Sequence, residues 1–289
     1  MSEYVIMTDS ASDLPEEYIK EHDLDVLNLF YNLEGTIYGG EHLLSIQDFY
    51  QKMRAGSMPT TMAVNPEDAG NAMRRHLEAG KDILYLAFSS GLSASYQNAV
   101  IAANDLKEEF PDRKIIVIDS LCASMGEGLF VHKALKLRDA GKSLEEAAKW
   151  LEDHKLNVCH QFTVDDLHHL HRGGRVSKTT AVLGTLINVK PVLHVDNEGK
   201  LVSLCNVRGR KKSLQALVSN MEKTIEGFED ENEDIFISHG DCLEDAKYVA
   251  ELIEEKFGPK KFYISYVSAV IGAHSGPGTM ALFYMGNKR

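Results

Sequence analysis

Seven consecutive residues, Ser89-Ser90-Gly91-Leu92-Ser93-Ala94-Ser95, place four hydroxyls between an apolar run at 83–88 and a helical pattern. That pattern sets Tyr96, Val100, Ala103 and Leu106 near one face. A short continuous apolar run of this kind reads as a strand covered on both faces. Strand, hydroxyl-rich turn and helix form half of a βαβ unit. Hydroxyl donors and free amides at a helix N-terminus then converge on one spot, which suits a carboxylate or a phosphate. Two more strand-like runs end in the same style, in Asp9-Ser10 and in Asp119-Ser120. In open α/β sheets ligands bind beyond the carboxyl ends of the strands, so the three ends predict one crevice. The plainer alternative is that Ser and Asp after strands are helix caps.

Other chemistries compete for the same residues. Gly91-Leu92-Ser93-Ala94-Ser95 approaches the Gly-x-Ser-x-Gly nucleophile elbow, and His274 with a strand-end Asp would complete a hydrolase triad. Ser95 stands where the last Gly belongs. An Asp9-dependent phosphohydrolase would want an acid two residues on, where the chain has Ala11. In Asp165-Asp166-Leu167-His168-His169-Leu170-His171, the pairs His168/His171 and Asp165/His169 share helical faces. No fourth ligand has definite spacing, so no metal and no cofactor is expected. Arg172, Arg175, Lys178, Arg208, Arg210, Lys211 and Lys212 form a basic cluster in an acidic chain. It is either a solvated face or a docking rim for an acidic partner.

The elements that position these groups follow from pattern. At 289 residues two domains are expected. Hydrophobic residues at 44% and charged residues at 26% describe a globular protein with apolar content for a core and an internal pocket. A net charge of −12 argues against nucleic acid and anionic membrane surfaces as partners. Four dispersed cysteines, Cys122, Cys159, Cys205 and Cys242, support neither a zinc site nor a redox pair. No signal-like or membrane-length apolar run is seen, which predicts a cytoplasmic protein with reduced thiols.

Strands are predicted at 4–7, 26–31, 83–88 and 114–118. They alternate with helices from a Ser12 or Asp13 cap to about residue 22, at 45–55, 66–79, 121–139 and 143–154. That alternation argues for a parallel sheet. Residues 58–66 read as an extended loop held by Pro59 and Pro66. Beyond about residue 158 the texture changes. Runs at 189–195 and 200–207 flank Asp196-Asn197-Glu198-Gly199, a hairpin signal. Helices at 212–227 and 244–257 alternate with strands at 235–238, 262–267 and 280–284. The expected fold is α/β: an N-terminal three-layer α/β/α domain with a parallel sheet, residues 1–158, and a C-terminal two-layer domain with a mixed sheet, residues 159–289.

The motifs in order resemble one family. Thr8-Asp9-Ser10-Ala11-Ser12-Asp13-Leu14-Pro15 looks like the opening signature of the DegV family. Pro59-Thr60-Thr61, the serine loop with Tyr96-Gln97, Asp119-Ser120, Gly173-Gly174-Arg175-Val176-Ser177, Lys190-Pro191 and Gly272-Ala273-His274-Ser275-Gly276-Pro277-Gly278 follow at family-like spacing across nearly the whole chain. The resemblance implies a DegV-like fold that binds a long-chain fatty acid. It also implies a non-catalytic carrier that presents the acid to a fatty acid kinase, whose acyl-phosphate product enters phospholipid synthesis. By the same resemblance Thr61, Ser93 and His274 match the positions that hold the carboxylate.

A carboxylate leaving water needs donors in place of its hydration. Thr61 and Ser93 each offer one, the helix amides after Ser93 more, and His274 a ring N–H, with balancing charge if protonated. Gly272, Gly276 and Gly278 would let backbone close around it. A tail of about 16 carbons buries its methylenes at about 0.8 kcal/mol each. Leu183, Leu186, Ile187, Val189, Ile264, Val267, Val270 and Ile271 are apolar candidates for the tunnel or for plain core. Arg175 and Arg208, both in family-like blocks, are the expected partner-docking residues. Two departures from the family pattern stand out: Met62-Ala63-Val64-Asn65 replaces Ser-Gln-Pro-Ser, and Ala94-Ser95 replaces Gly-Thr. The first makes the vicinity of Thr61 more apolar and bears on chain preference.

Overall fold

The computed structural model describes residues 4–177 and 188–289. Its first sheet is parallel and four-stranded, built from β1 (Tyr4–Asp9), β2 (Asp25–Leu27), β6 (Asp82–Ala87) and β7 (Ile115–Asp119) in the order β2-β1-β6-β7. The apolar run at 83–88 earns its central place, since all of β6 is buried. Its alternate side chains serve two cores. Ile83 and Tyr85 pack with α2 (Ile46–Arg54), α3 (Pro66–Glu78) and α4 (Ser95–Glu109). Leu84 and Leu86 pack with α5 (Met125–Asp139) and α6 (Leu144–His154). Ser45, Asn65 and Ser143 cap α2, α3 and α6 through their side chains, as their positions before the periodic runs predict.

The second sheet is mixed and six-stranded. Its strands are β8 (Val158–Thr163), β9 (Val189–Val195), β10 (Leu201–Arg208), β11 (Asp234–His239), β12 (Lys261–Tyr266) and β13 (Met280–Met285), in the order β10-β9-β8-β13-β11-β12. Only β11 and β12 run parallel. The helices after its hairpin and after β11, Arg210–Thr224 and Leu243–Phe257, cover one face with Ile235, Ile237 and Leu282. The other face sends Phe162, Leu193, Phe236 and Phe283 into the same core as α5. Helix α5 thus lies between both sheets, which explains why its residues from Met125 to Leu135 are all buried.

Three expectations are corrected. The run at 26–31 is two strands: the chain leaves the parallel sheet after Leu27 and pairs again as β3 (Phe30–Leu33). There it joins β4 (Thr36–Tyr38) and β5 (Thr60–Met62) in a small antiparallel sheet, so part of the expected loop at 58–66 is a strand. The first helix, α1 (Glu16–Glu21), is capped by neither Ser12 nor Asp13. Asp13 sits in the left-handed region at φ 54°, and its carboxylate is used elsewhere. The stretch at 270–278 is partly helical, Ala269–Ser275, despite glycines that lower helix propensity.

Candidate functional site

Strand β5 positions Thr61 by simple alternation. Thr61 pairs with Tyr31, which is buried against Phe49, so its side chain turns inward while Thr60 and Met62 are exposed. There Thr61 Oγ1 meets His274 Nε2 at 2.8 Å. His274 lies in the last turn of the helix Ala269–Ser275. Glycines set that helix in place. A Cβ on Gly272 would lie 2.6 Å from the Tyr50 hydroxyl, and one on Gly173 would lie 2.1 Å from His274 Nδ1. Gly276 and Gly278 both have positive φ and pack on His169 and Asp165.

Ser93 completes a ring of contacts. Its Oγ meets Ser95 Oγ at 2.9 Å, and Ser95 Oγ accepts from the Val64 amide, three residues beyond Thr61. On the other side the Arg175 guanidinium donates to the carbonyls of Leu92 and Gly173, tying the serine loop to the glycine that packs on His274. Thr61, Ser93, Arg175 and His274 all line one cavity of about 300 Å³. Its remaining wall is largely apolar, including Leu29, Phe88, Phe162, Val270, Ile271 and Phe283. Such a concave, mostly apolar space with a few convergent polar groups is the usual form of a small-molecule site.

Electrostatics departs from the sequence reading in one respect. Burial, with Arg175 and Arg172 nearby, holds the His274 imidazole down at about 4. It is therefore neutral at pH 7, and the positive potential there comes from the arginines. His274 Nδ1 is buried and has no hydrogen-bond partner among the described residues. A hydrolase triad needs a carboxylate on that atom, so the arrangement lacks its third member among the described residues.

The three strand ends divide. Asp9 accepts from the amides of Ala11 and Phe88. Asp119 accepts from the amides of Ser90 and Leu121, and Ser120 donates to Ala87. Ser89 donates to Gly199 at the tip of the β9–β10 hairpin. These residues hold loops together, and Asp9, fully buried, does not line the cavity. Of the strand-end groups, only the distal part of the serine loop reaches it. The Ser95 amide is already taken by Ser93 Oγ, so that helix amide is not free for an anion.

Arg175 is half-buried in the wall, bonded to carbonyls, not a free cation on a rim. Arg208 is exposed on β10. Lys178 of the basic cluster, and Leu183, Leu186 and Ile187 of the apolar set, lie outside the described residues. Val267, Val270 and Ile271 line the cavity; Ile264 packs instead on the face of the second sheet covered by the helices Arg210–Thr224 and Leu243–Phe257. Asp165 pairs with Lys190 at 2.6 Å, and His171 Nδ1 faces the Val176 carbonyl. Among the described residues no group of three or more His, Cys, Asp or Glu is arranged for a metal ion, and no helix is long and apolar enough to cross a membrane.

Sequence reasoning missed a second polar stretch of the wall. Ser124, Ser238 and His160 all line the cavity. Ser124 Oγ donates to Asp13 and meets Ser238 Oγ at 2.8 Å. Asp13 also accepts from the Ser268 amide at the start of the helix that carries His274. Burial pushes the Asp13 carboxyl up to about 7, partly offset by these hydrogen bonds. His160 is pinned on both ring nitrogens, by the Val158 carbonyl and the Ala123 amide, and burial keeps it neutral. No local sequence signal joins these residues; topology does.

Comparison with known proteins bears on the fold and the cavity together. The DegV family model, described as an uncharacterised protein of the DegV family, matches residues 3–287. A DegV domain-containing protein of Clostridium perfringens is 42% identical over 291 residues, covering 100% of this chain and 99% of its own length. A solved DegV family protein of Thermus thermophilus, described for its fatty acid binding, is 32% identical with a TM-score of 0.86, over 99% of this chain and 100% of that one. DegV of Bacillus subtilis, described as a fatty acid binding protein, is 27% identical with a TM-score of 0.83, over 99% and 100%. On sequence and on architecture, the chain belongs to the DegV family.

Proposed function

We propose that this protein binds a long-chain fatty acid in the cavity between its sheets, with the carboxylate held by Thr61, Ser93 and His274. It acts as a cytoplasmic, non-catalytic carrier that presents the acid to a fatty acid kinase for acyl-phosphate formation and phospholipid synthesis. The observation that carries the reading is one apolar cavity that brings two hydroxyls and a neutral imidazole into a single ring of contacts. Donors replace the lost hydration of the carboxylate, Arg175 and Arg172 supply positive potential, and the apolar wall takes the tail. Relatives described as fatty acid binding support the ligand class. The kinase partner rests on the family resemblance, with Arg208, exposed, and Arg175, half-buried, as its docking residues. We take residues 1–158 and 159–289 as the two domains, the first supplying Thr61 and Ser93 and the second His274.

Delipidated protein titrated with labelled hexadecanoic acid tests the reading. Ser93→Ala and His274→Ala are expected to weaken binding, and wild-type affinity in both would remove their assigned roles. Serine hydrolysis is the alternative that Ser93 and His274 raise. Ester turnover lost in Ser93→Ala would favour it, but the unpartnered His274 Nδ1 argues against it.

A further inference from the structure

Two spaces meet at one wall. The cavity that holds Thr61, Ser93 and His274 is also lined by Leu92, Arg175 and Leu201. The same three residues line a groove of about 650 Å³ between the serine loop, the segment after Gly173 and the start of β10. Val202 lines the groove, is 38% exposed, and does not line the cavity. The shared residues therefore stand between the cavity and a groove that reaches solvent.

That wall is built to yield. Leu92 packs in a small cluster with Ala11 and Phe88, apart from the large cores, and Leu201 is only partly buried. Few buried apolar contacts mean a low cost of local opening. The Arg175 guanidinium bars the wall by donating to the Leu92 carbonyl, from Nε at 3.1 Å and from Nη2 at 2.9 Å. Neutral carbonyls are weaker partners for a guanidinium than a carboxylate, so a fatty-acid head in the groove can draw Arg175 off Leu92. Elsewhere buried hydrogen bonds seal the cavity. Ser124 Oγ meets Ser238 Oγ at 2.8 Å, and the Tyr50 hydroxyl donates to the Val267 carbonyl at 2.8 Å. The hairpin tip beside the wall is pinned by Ser89 to the Gly199 carbonyl, so opening turns side chains and leaves the hairpin in place.

Met62 and Ala94 are the exposed residues of the cavity lining, and entry past them is the competing route. They flank Thr61 and Ser93, so a tail would have to cross the hydrogen bonds of the polar ring. The leucines of the wall offer it an apolar path instead, with no polar group to strip of its partner.

Resting on the reading that this cavity holds a fatty acid, we infer that the wall of Leu92, Arg175 and Leu201 is the port through which the acid enters and leaves, tail first from the groove. Arg175 lies on the head side of that port: it also donates to the Gly173 carbonyl, and Gly173 packs on His274. The tail passes inward beyond the leucines. The carboxylate follows last and stops at Thr61, Ser93 and His274 as Arg175 regains Leu92.

Rates test the port, because a port changes association and dissociation together and leaves their ratio alone. The measurement is stopped-flow binding of cis-parinaric acid, a fluorescent long-chain polyene acid, to delipidated protein. Dissociation is read by displacement with excess hexadecanoic acid. Val202→Trp narrows the groove without reaching the cavity. It should slow both rates by about tenfold or more, as obstructed gating does, with Kd within about twofold of wild type. Leu201→Ala thins the wall and should speed both. Wild-type rates in either variant, as entry past Met62 and Ala94 would give, overturn the port while fatty-acid binding stands. A Kd raised in Val202→Trp through faster dissociation alone also overturns it, since the groove would then be part of the seat. If wild-type protein binds neither acid, the port and the fatty-acid reading both fall.

Discussion

Replacing Thr61 by Val keeps volume and strand propensity while removing one hydroxyl, so it isolates the polar contribution. In the complex the carboxylate loses a hydrogen bond to a charged group, a loss of about 1.5–3 kcal/mol. The empty protein loses something too. Thr61 Oγ1 partners His274 Nε2 at 2.8 Å, and Nδ1 of the same ring is already unpartnered. That neutral bond is worth about 1 kcal/mol, and its absence raises the free energy of the empty state as well. The difference is about 1.4 kcal/mol, or about tenfold in Kd. The assay is titration of delipidated wild type and Thr61→Val with hexadecanoic acid and with its methyl ester. The acid should weaken about tenfold while the ester, with no charge to hold, barely changes. A change under twofold for the acid, or an equal loss for acid and ester, would refute a carboxylate clasp at Thr61.

Further outcomes follow from the same geometry. Gly173→Ala should weaken acid binding tenfold or more while the protein stays folded, read by titration and by circular dichroism, because its Cβ would sit 2.1 Å from His274 Nδ1 at an ordinary φ. Gly126→Ala, whose Cβ would sit 2.1 Å from His160 Nε2 inside buried α5, should lower the urea midpoint by the equivalent of about 1–3 kcal/mol for overpacking. For Asp13 the folded pKa lies above the unfolded one, so its neutral form favours folding below about pH 4 and that contribution is lost as pH rises to about 7. The stability of Asp13→Asn relative to wild type should therefore rise by about 4 kcal/mol between those limits in urea titrations, and a flat difference would contradict it. His274 has the opposite sign. Its folded pKa is depressed to about 4, so the unfolded state binds more protons below about pH 6.5, and this residue costs stability as pH falls through that window.

Much of this fold was legible because period and capping agree. The runs at 45–55, 66–79 and 143–154 carry both apolar spacing and a side-chain cap, and they are helices within a residue or so. The buried run at 83–88 and the turn at 196–199 each have a single local reading, and both hold. Strand β8 escaped because it carries His160 and Gln161 on buried positions. Their partners, the Ala123 amide and Asn220, are set by tertiary contacts that no window of sequence contains. The helix bearing His274 was hidden by Gly272 and Gly276, which the close approach of Tyr50 and His169 requires.

The site divides in the same way. Ser93 stood out as a hydroxyl at a strand end, a feature of local chain order. Thr61 and His274 were expected from the family resemblance, and their meeting depends on a small sheet that the pattern of residues 58–66 does not announce. Ser124 and Ser238 gave no signal, being single serines just before α5 and on β11 that meet only because α5 lies between the sheets. Arg175 read as a surface cation because charge runs are usually solvated, whereas here two backbone carbonyls hold its guanidinium in the wall.

The most direct measurement is the mass of whatever the protein carries when purified from a bacterial host and extracted under denaturing conditions. The expected result is a long-chain fatty acid at about one per chain, depleted when His274 or Ser93 is replaced by Ala. Protein that is fully folded, carries no acyl chain and takes up none when offered hexadecanoic acid would contradict it.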